Sequence, residues 1–378
     1  MSPSDPTASR RFVVAMSGGV DSSVAALLLA REGLEVIGLF MRNGVEVTEE
    51  AARHKSCCSA NDARDARMVA AHLGVSFQAV DLAGDFEHIV RAFVEDYGAG
   101  RTPNPCAVCN RDLKFDRLLK LAEELGAEGV ATGHYARLDI EEGRVVVRRG
   151  VDADKDQSYQ LFCVAEEHLA RTRLPLGALE KRAVRALAED AGLRTAAKAD
   201  SQEICFVPSG DYRKLLAERG VELHPGRLLD TAGNTLGEHA GTEHFTVGQR
   251  RGHGIGGGTP LYVVEVNPAR GTVVLGTREE ACFASCDVDA VNWIGFDPPE
   301  SGELPCLVQV RYRSAAVGAV VSLASSSDGG PAARVVFDEP QPAVAAGQGA
   351  AFYHGDRLLG GGWIRCAERV QAAAPPAR

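Results

Sequence analysis

One short segment near the N-terminus has the residue types that bind phosphate. SGGVDSS (residues 17–23) lies between an apolar run and a helical pattern. Its two glycines allow backbone N–H groups to approach an anion, and the start of a helix adds partial positive charge. The serine hydroxyls can donate to phosphate oxygens, and Asp21 is placed to hold Mg²⁺. The segment lacks the Gly-Lys-Ser/Thr of the Walker loop. A capped Gly/Ser turn is the alternative, but the complete pattern favours a nucleotide-binding loop.

Three cysteines could supply thiol chemistry. Cys106 and Cys109 lie in TPNPCAVCN, before a helical pattern, and Cys205 lies in DSQEICFVP. We expect Cys109 near a helix N-terminus, where a thiol has a lowered pKa and ionises more readily. The Cys-x-x-Cys pair alone is also consistent with a redox pair, half of a zinc site or a structural role. A tetrahedral zinc ion would need two further ligands.

The elements that must position these residues alternate between strands and helices. Strands are predicted at 11–16, 35–41, 76–82 and 128–136, and helices at 22–33, 60–74, 86–97, 110–126, 158–171 and 179–193. This alternation predicts an α/β fold with a doubly wound parallel sheet, whose ligands bind beyond the carboxyl ends of the strands. In the helix at 110–126, Leu113, Leu118, Leu121 and Leu125 recur at threes, fours and fives along one broad face.

The pattern changes to short β-like runs separated by Gly, Pro and Asn after about residue 213. We predict a catalytic domain over residues 1–213, a small central β-rich domain over 214–280 and a C-terminal β-barrel over 281–378.

Composition limits the classes of function. The chain has 378 residues with a net charge of −10, so it has no overall basic character for nucleic-acid binding. It has no apolar run that could span a membrane and no secretory signal pattern, which predicts a cytoplasmic protein. Its ten cysteines are then expected to be mostly reduced.

SGGVDSS resembles the signature of the PP-loop ATP pyrophosphatases, which form AMP and pyrophosphate by adenylating a substrate. Further motifs occur in the order seen in the tRNA-specific 2-thiouridylase family, over about residues 11–365. They are LFMRN, CCSANDARDARMVAAHLG, GRTPNPCAVCNRDLKF, ATGHYA, DKDQSY, DSQEICFVP, FTVGQRRG, RYR and GQGAAFY. The resemblance implies that ATP adenylates the C2 oxygen of a wobble uridine in tRNAs for Lys, Glu and Gln. A persulfide sulfur then replaces that oxygen.

The resemblance also implies roles for individual residues. It makes Cys109 the nucleophile and Cys205 the carrier of the persulfide, the two ending as a disulfide. It also implies a persulfide or sulfide donor, such as a cysteine desulfurase or a sulfur-relay protein. The residues implied to bind ATP are Ala15, Met16, Ser17, Gly18, Gly19, Val20, Asp21, Ser22, Met41 and Gly133. Those implied to face the target base are Asn104, Pro105 and Cys106. Those implied to contact tRNA are His134, Lys155, Asp156, Gln157, Arg311, Tyr312 and Gln348.

Cys106 departs from the family pattern, because many members carry Asp there. Three cysteines could instead ligate an iron–sulfur cluster with one open iron, which would deliver sulfide to the activated uridine. The sequence does not separate this route from the persulfide route. Two other classes of function remain: a PP-loop ligase acting on a small molecule, and a nucleotide-binding sensor without chemistry.

Overall fold

The computed structural model describes residues 10–44, 60–200, 204–207, 210–256, 258–299, 302–326 and 329–370. The chain forms two compact units, and neither is a continuous stretch of sequence. The first unit comprises Met1–Val90, Pro105–Asp211 and Asp356–Leu358, and the second comprises Arg91–Asn104, Tyr212–Gly355 and Leu359–Arg378.

The first unit is a mixed α/β structure. Its elements, in chain order, are β1 (Arg11–Ala15), α1 (Val20–Arg31), β2 (Glu35–Arg42), α2 (Ala60–Leu73), β3 (Ser76–Asp81), the start of α3 (Ala83–Gly98), α4 (Pro105–Val108), a π-helix (Cys109–Arg117), α5 (Leu118–Glu124), β4 (Gly129–Ala131), β5 (Ala136–Glu141), β6 (Arg144–Arg149), a 3₁₀-helix (Ser158–Leu161), α6 (Glu166–Leu169), β7 (Thr172–Arg173) and α7 (Lys181–Asp190).

Five of these strands form the predicted parallel sheet, in the order β3-β2-β1-β4-β7. Helices α1, α2 and α7 pack on this sheet through buried aliphatic side chains, including Val14, Val24, Val69, Val184 and Ala188. The strand order reverses between β1 and β4. The segments that follow these two strands therefore diverge, which is where such sheets bind ligands.

The helical predictions are partly wrong in detail. The predicted helix at 110–126 is a π-helix followed by α5, and the N–H of Leu118 donates to the carbonyl of Leu113, five residues earlier. That five-residue step is the wide spacing noted between the two leucines. The predicted helix at 158–171 is reduced to a 3₁₀ turn and the four-residue α6.

The hairpin of β5 and β6 is completed by a distant piece of chain. Arg357 and Leu358 pair with Arg148 and Val147 of β6. The Asp356 carboxylate accepts hydrogen bonds from Arg137 and Arg148 at 2.6 and 2.7 Å.

The second unit begins with the end of α3 and contains two β structures. Its later elements are α8 (Tyr212–Glu218), β8 (Gly226–Leu229), β9 (Thr235–His239), a 3₁₀-helix (Thr242–His244), β10 (Tyr262–Asn267), a 3₁₀-helix (Pro268–Arg270), β11 (Thr272–Gly276), β12 (Cys282–Trp293), β13 (Glu303–Gln309), β14 (Val317–Ser325), β15 (Pro331–Pro342), β16 (Gly349–His354) and β17 (Arg357–Arg369). The smaller sheet has the order β10-β11-β8-β9 around Leu228, Val263, Val273 and Leu275.

The last six strands close into a barrel. Their order is β12-β15-β14-β13-β16-β17, and β17 pairs with β12 to complete the circle. Val288, Val308, Val335 and Phe352 fill the interior. This confirms the predicted C-terminal β-barrel. Among the residues that the structure describes, no helix is long and apolar enough to cross a membrane.

Candidate active site

The predicted nucleotide loop connects β1 to α1 at the point where the strand order reverses. Gly18 has a φ of +72°, and a Cβ built on it would lie 2.2 Å from the carbonyl oxygen of Asp62. Both observations require glycine here, because an L side chain would strain the backbone and overlap α2. Gly19 is extended and precedes the first turn of α1. The loop therefore presents backbone N–H groups at a helix N-terminus, the arrangement that binds phosphate.

The serine hydroxyls stabilise the loop from within. Ser22 Oγ accepts a hydrogen bond from the N–H of Ser17 at 3.1 Å. The hydroxyls of Ser22 and Ser23 both donate to the carbonyl of Gly19, at 3.2 and 2.7 Å. Ser17 is exposed. Of the three hydroxyl groups it is the most accessible to a ligand, although its Oγ also lies 3.3 Å from Ser22 Oγ.

The other residues predicted to bind ATP divide into two groups. Ala15, Met16 and Val20 are buried in the core, so only their backbone atoms face the loop region. Gly133, which follows β4, packs against the loop, because a Cβ there would lie 2.9 Å from the N atom of Ser22. Met41 is partly buried near the carboxyl end of β2, the neighbour of β1.

Asp21 has two partners that the sequence did not reveal. Lys181 Nζ donates to both carboxylate oxygens, at 2.7 and 2.8 Å, and the Tyr135 hydroxyl donates to Oδ1 at 2.7 Å. Burial and the charge of Asp21 raise the pKa of Tyr135, so this hydroxyl stays protonated. Lys181 begins α7, 160 residues from Asp21 along the chain, and no local pattern links the two.

Lys181 also contacts Asp200 at 2.9 Å. Burial alone would raise the pKa of Asp200, but hydrogen bonds from Lys155 and Lys181 lower it to about 2. Asp200 also accepts a hydrogen bond from Arg185 at 2.8 Å. It is therefore ionised at neutral pH and joins α7 to the turn that contains Lys155.

A second lysine, Lys198, links the nucleotide loop to α2. Lys198 Nζ donates to the carbonyl of Gly18 at 2.9 Å and to the carboxylates of Asp62 and Asp65 at 2.6 and 2.8 Å. Lys198 therefore ties the loop to α2. Sequence reasoning missed this residue as well, because its partners lie more than a hundred positions away.

The cysteine segment begins a helical stretch. Helical structure begins at Pro105, and Cys109 is the first residue of the π-helix, one turn later. Cys109 therefore lies close to the helix start but one turn beyond it, whereas the dipole acts mainly in the first turn. Cys106 is exposed and Cys109 is partly exposed. Asn104 is buried and belongs to the second unit, whereas Pro105 and Cys106 belong to the first.

Buried polar groups support the π-helix. Lys114 Nζ donates to Asn110 Oδ1 at 2.9 Å, and Asn110 Nδ2 donates to the carbonyl of Gln160 at 3.0 Å. Cys163 Sγ lies 3.4 Å from the carbonyl of Ala107, and burial raises its pKa to about 12, so it stays a thiol. These bonds hold the segment that carries Cys109.

Cys205 is partly exposed, and its neighbour Phe206 is buried. The ring of Phe206 packs edge-on against Phe86, with 5.6 Å between centroids. Ser201–Glu203 of the DSQEICFVP motif lie outside the described residues. Within the described part of the chain, which includes all three predicted ligands, no three His, Cys, Asp or Glu side chains are grouped to hold a metal ion.

Several residues predicted to contact tRNA make hydrogen bonds within the protein instead of projecting freely. Asp156 accepts from Arg149 and Ser158, and Gln157 accepts from the N–H of Tyr135. Lys155 bonds Asp200 at 2.8 Å. Residues 155–157 therefore form an ordered corner.

His134 is also buried. Its Nδ1 lies 2.7 Å from Thr132 Oγ1, and its ring is 5.6 Å from that of Phe115. Burial, together with the charge of Lys114, lowers the pKa of His134 well below its usual value, so the ring is neutral. A contact with tRNA through this ring would require it to be uncovered.

The remaining predicted tRNA residues lie in the second unit. Arg311 is exposed and Tyr312 is partly exposed, in the turn after β13. Gln348 Nε2 donates to the carbonyls of Thr102 and Pro103, at 3.1 and 2.9 Å. Gln348 therefore fixes the chain that leads into the cysteine segment.

Comparisons with known proteins agree with this architecture. Residues 10–209 match a family model described as the tRNA methyl transferase HUP domain, residues 213–277 the tRNA methyl transferase PRC-barrel domain, and residues 283–364 the aminomethyltransferase beta-barrel domain. Among solved structures, NMN synthetase from Francisella tularensis is 18% identical over 50% of this chain and 65% of its own, with a TM-score of 0.31.

Curated relatives match over nearly the whole chain. A tRNA-specific 2-thiouridylase MnmA from Solibacter usitatus is 47% identical, covering 93% of this chain and 98% of the relative. One from Geobacter metallireducens is 46% identical, covering 95% and 98%. Together with the nucleotide loop, the parallel sheet and the closed barrel, these matches show that the chain belongs to the tRNA-specific 2-thiouridylase family.

Proposed function

We propose that this chain is an ATP-dependent tRNA-uridine 2-sulfurtransferase. It adenylates the C2 oxygen of the wobble uridine and replaces that oxygen by sulfur, giving 2-thiouridine, AMP and pyrophosphate. The proposal rests on one observation: a chain 47% identical to a curated 2-thiouridylase places the nucleotide loop and both cysteines in one compact unit. The methyl transfer named in the family-model descriptions needs neither an ATP loop nor a cysteine pair.

The nucleotide loop binds the ATP used in the adenylation step of the reaction. The uridine oxygen attacks the α-phosphorus of ATP, and pyrophosphate leaves. Backbone N–H groups from Gly18 to Ser22, at the N-terminus of α1, hold the phosphates and stabilise negative charge in the transition state. Ala15, Met16 and Val20 contribute through the backbone, because their side chains are buried. Met41 and Gly133 lie on the adenosine side.

Asp21 is the carboxylate that would hold Mg²⁺ with the phosphates. One carboxylate beside a phosphate-binding loop fits the usual ligand set of this ion, which takes its remaining ligands from phosphate and water. When bound, the ion neutralises charge on the departing pyrophosphate. Both carboxylate oxygens also contact Lys181.

Cys205 and Cys109 carry out the sulfur-transfer step of the reaction. A persulfide donor first transfers sulfur to Cys205. The terminal sulfur then attacks C2 of the adenylated uridine, and AMP leaves with the original oxygen. Cys109 attacks the Cys205 sulfur of the resulting adduct, which releases 2-thiouridine and leaves a Cys109–Cys205 disulfide. A dithiol reductant restores both thiols for the next turnover.

An iron–sulfur cluster on Cys106, Cys109 and Cys205 is the alternative route for the sulfur. Three thiolates must converge on one cluster, and the described residues contain no group of three His, Cys, Asp or Glu side chains placed to hold a metal ion. The proposed mechanism assigns no step to a cluster, and the thiolation assay below separates the two routes. Cys106 instead lies exposed beside the segment that faces the target base, together with Asn104 and Pro105.

The RNA partner is a tRNA for Lys, Glu or Gln with an unmodified wobble uridine. The ordered corner of Lys155, Asp156 and Gln157, together with His134, Arg311, Tyr312 and Gln348, is proposed to contact it. The sulfur donor is a cysteine desulfurase or a sulfur-relay protein that carries a persulfide, and the reaction takes place in the cytoplasm.

The deciding experiment is a thiolation assay with iron-free protein. Purified chain receives ATP, Mg²⁺, unmodified tRNA and a persulfide donor, and 2-thiouridine is measured by mass spectrometry of nucleosides. Product is expected from wild type and from Cys106→Asp. Cys205→Ser is expected to abolish multiple-turnover thiolation, and Cys109→Ser to stop release of product. Cys366→Ser, at an exposed cysteine of the barrel, is the matched control and should remain active.

Three outcomes would contradict this mechanism. Thiolation that appears only after anaerobic reconstitution with iron and sulfide, and is lost in Cys106→Asp, would favour the cluster route. AMP formation from a small-molecule acceptor, unaffected by Cys109→Ser, would favour a PP-loop ligase. ATP binding with no AMP formation under any of these conditions would favour a sensor.

A further inference from the structure

The nucleotide loop lacks the lysine that a Walker loop supplies, yet a lysine lies beside it in the folded chain. Lys181 Nζ is within 2.8 Å of both oxygens of Asp21. Asp21 occupies the first turn of α1, next to Ser22, which lines the loop. Lys181 therefore places a positive charge beside the nucleotide loop.

The side chain of Lys181 is held from several directions. Its three N–H donors match three acceptors, namely the two oxygens of Asp21 and one oxygen of Asp200 at 2.9 Å. Its Nζ also lies 5.7 Å from the centre of the Tyr135 ring. Only 12% of the side chain is exposed. A lysine held in this way loses little conformational freedom when it changes partner.

The charges around Lys181 are balanced before a nucleotide binds. The cluster contains three carboxylates, Asp21, Asp200 and Asp152, the last of which accepts a hydrogen bond from the backbone N–H of Lys181 at 2.8 Å. Its three cations are Lys181, Lys155 and Arg185. A phosphate that takes the place of Asp21 at Lys181 restores a full set of partners for the lysine.

We propose that Lys181 is a phosphate-binding residue of the ATP site and contacts Asp21 until the nucleotide enters. On ATP binding, Nζ turns from Asp21 to a phosphate oxygen, and the Asp21 carboxylate is released. Tyr135 remains as the hydrogen-bond donor that keeps Asp21 in place. This assignment rests on the proposed function, since it concerns the ATP of that reaction.

The alternative is a purely structural ion pair that fixes α7 to the loop. The two roles differ in which ligand they affect. A phosphate contact stabilises ATP and pyrophosphate but not adenosine. A structural pair affects the stability of the fold and treats the three ligands alike.

Calorimetric titration without tRNA or sulfur donor tests the assignment. Wild type, Lys181→Met and Lys181→Arg are titrated with ATP and Mg²⁺, with pyrophosphate, and with adenosine. Lys181→Met is expected to raise the ATP dissociation constant at least tenfold, about 1.4 kcal/mol, and to leave that of adenosine within twofold. Lys181→Arg should recover most of the loss. Lys120→Met, at an exposed lysine of α5 that is also ion-paired, should match wild type.

An ATP dissociation constant within twofold of wild type in Lys181→Met would overturn this assignment but would leave the proposed function unaffected. Equal weakening of ATP and adenosine would also overturn it. If Lys181→Met does not fold, Lys181→Gln, which keeps a polar side chain, is compared with Lys181→Arg by the same criteria. A wild-type chain that binds no ATP would overturn the proposed function and this assignment together.

Discussion

Replacement of Gly18 by alanine should disable the nucleotide loop through steric overlap with α2. The same replacement at Gly33 separates this overlap from backbone strain. Gly18 and Gly33 have nearly the same backbone conformation, with φ of +72° and +78°. A Cβ at Gly18 would lie 2.2 Å from the backbone oxygen of Asp62, whereas a Cβ at Gly33 would meet nothing within 4 Å. Gly33→Ala therefore measures the backbone strain, and Gly18→Ala adds the overlap.

The expected magnitudes follow from this geometry. Left-handed backbone costs alanine about 1–2 kcal/mol at either site. At Gly18 the new Cβ, whose position the backbone fixes, would overlap backbone atoms of Asp62, so no side-chain rotation can relieve the contact. Overpacking of this kind costs about 1–3 kcal/mol more. Displacing the loop also loses at least one charge-assisted hydrogen bond to phosphate, about 1.5–3 kcal/mol, or about 10- to 150-fold in ATP affinity.

ATP titration and thermal melting of both variants provide the measurement. Gly33→Ala should melt below wild type and bind ATP normally. Gly18→Ala should melt lower still and lose ATP affinity by at least tenfold. Equal melting temperatures for the two variants, with normal ATP binding by Gly18→Ala, would refute the argument that the approach to Asp62 determines the loop.

Three further predictions concern other parts of the site. The pKa of His134 lies below the ordinary 6.5 because the ring is buried near Lys114. The neutral ring therefore contributes its full stability above pH 6.5, and this contribution is lost as the pH falls towards the pKa of His134 in the folded protein. The melting temperature should depend less on pH between 7 and 5 in His134→Asn than in wild type, and an unchanged profile would contradict this. Lys198→Met should lower both the melting temperature and, severalfold, the ATP affinity, since it removes the bond to the Gly18 carbonyl; normal ATP titration would argue against that anchor. Binding to tRNA should weaken with added salt, with a modest slope because the chain has a net charge of −10, and a steep slope would contradict this prediction.

The parallel sheet and its loop were predictable because their signals are local. Each buried strand is a short apolar run, and SGGVDSS contains both the tight turn and the helix start. The π-helix was not predicted, although the five-residue step from Leu113 to Leu118 indicates it. A pattern of threes, fours and fives was interpreted as one broad α-helical face, because π-turns are rare.

The charged part of the site was not predictable from local pattern. Lys181 and Lys198 reach the loop from 160 and 180 positions along the chain. Before folding, nothing distinguishes them from other lysines of amphipathic segments. Their roles arise only when α7, which begins with Lys181, and the turn that contains Lys198 pack beside the loop.

The discontinuity of the two units has a consequence for synthesis on the ribosome. Asp356–Leu358 belong to the first unit, where Asp356 accepts hydrogen bonds from Arg137 and Arg148. Domains usually fold in order as the chain emerges. Here the β5–β6 hairpin lacks its last strand partner until a segment more than 200 positions further along the chain has been made. A nascent chain that stopped before Arg357 would leave this edge of β6 without the strand that pairs with it.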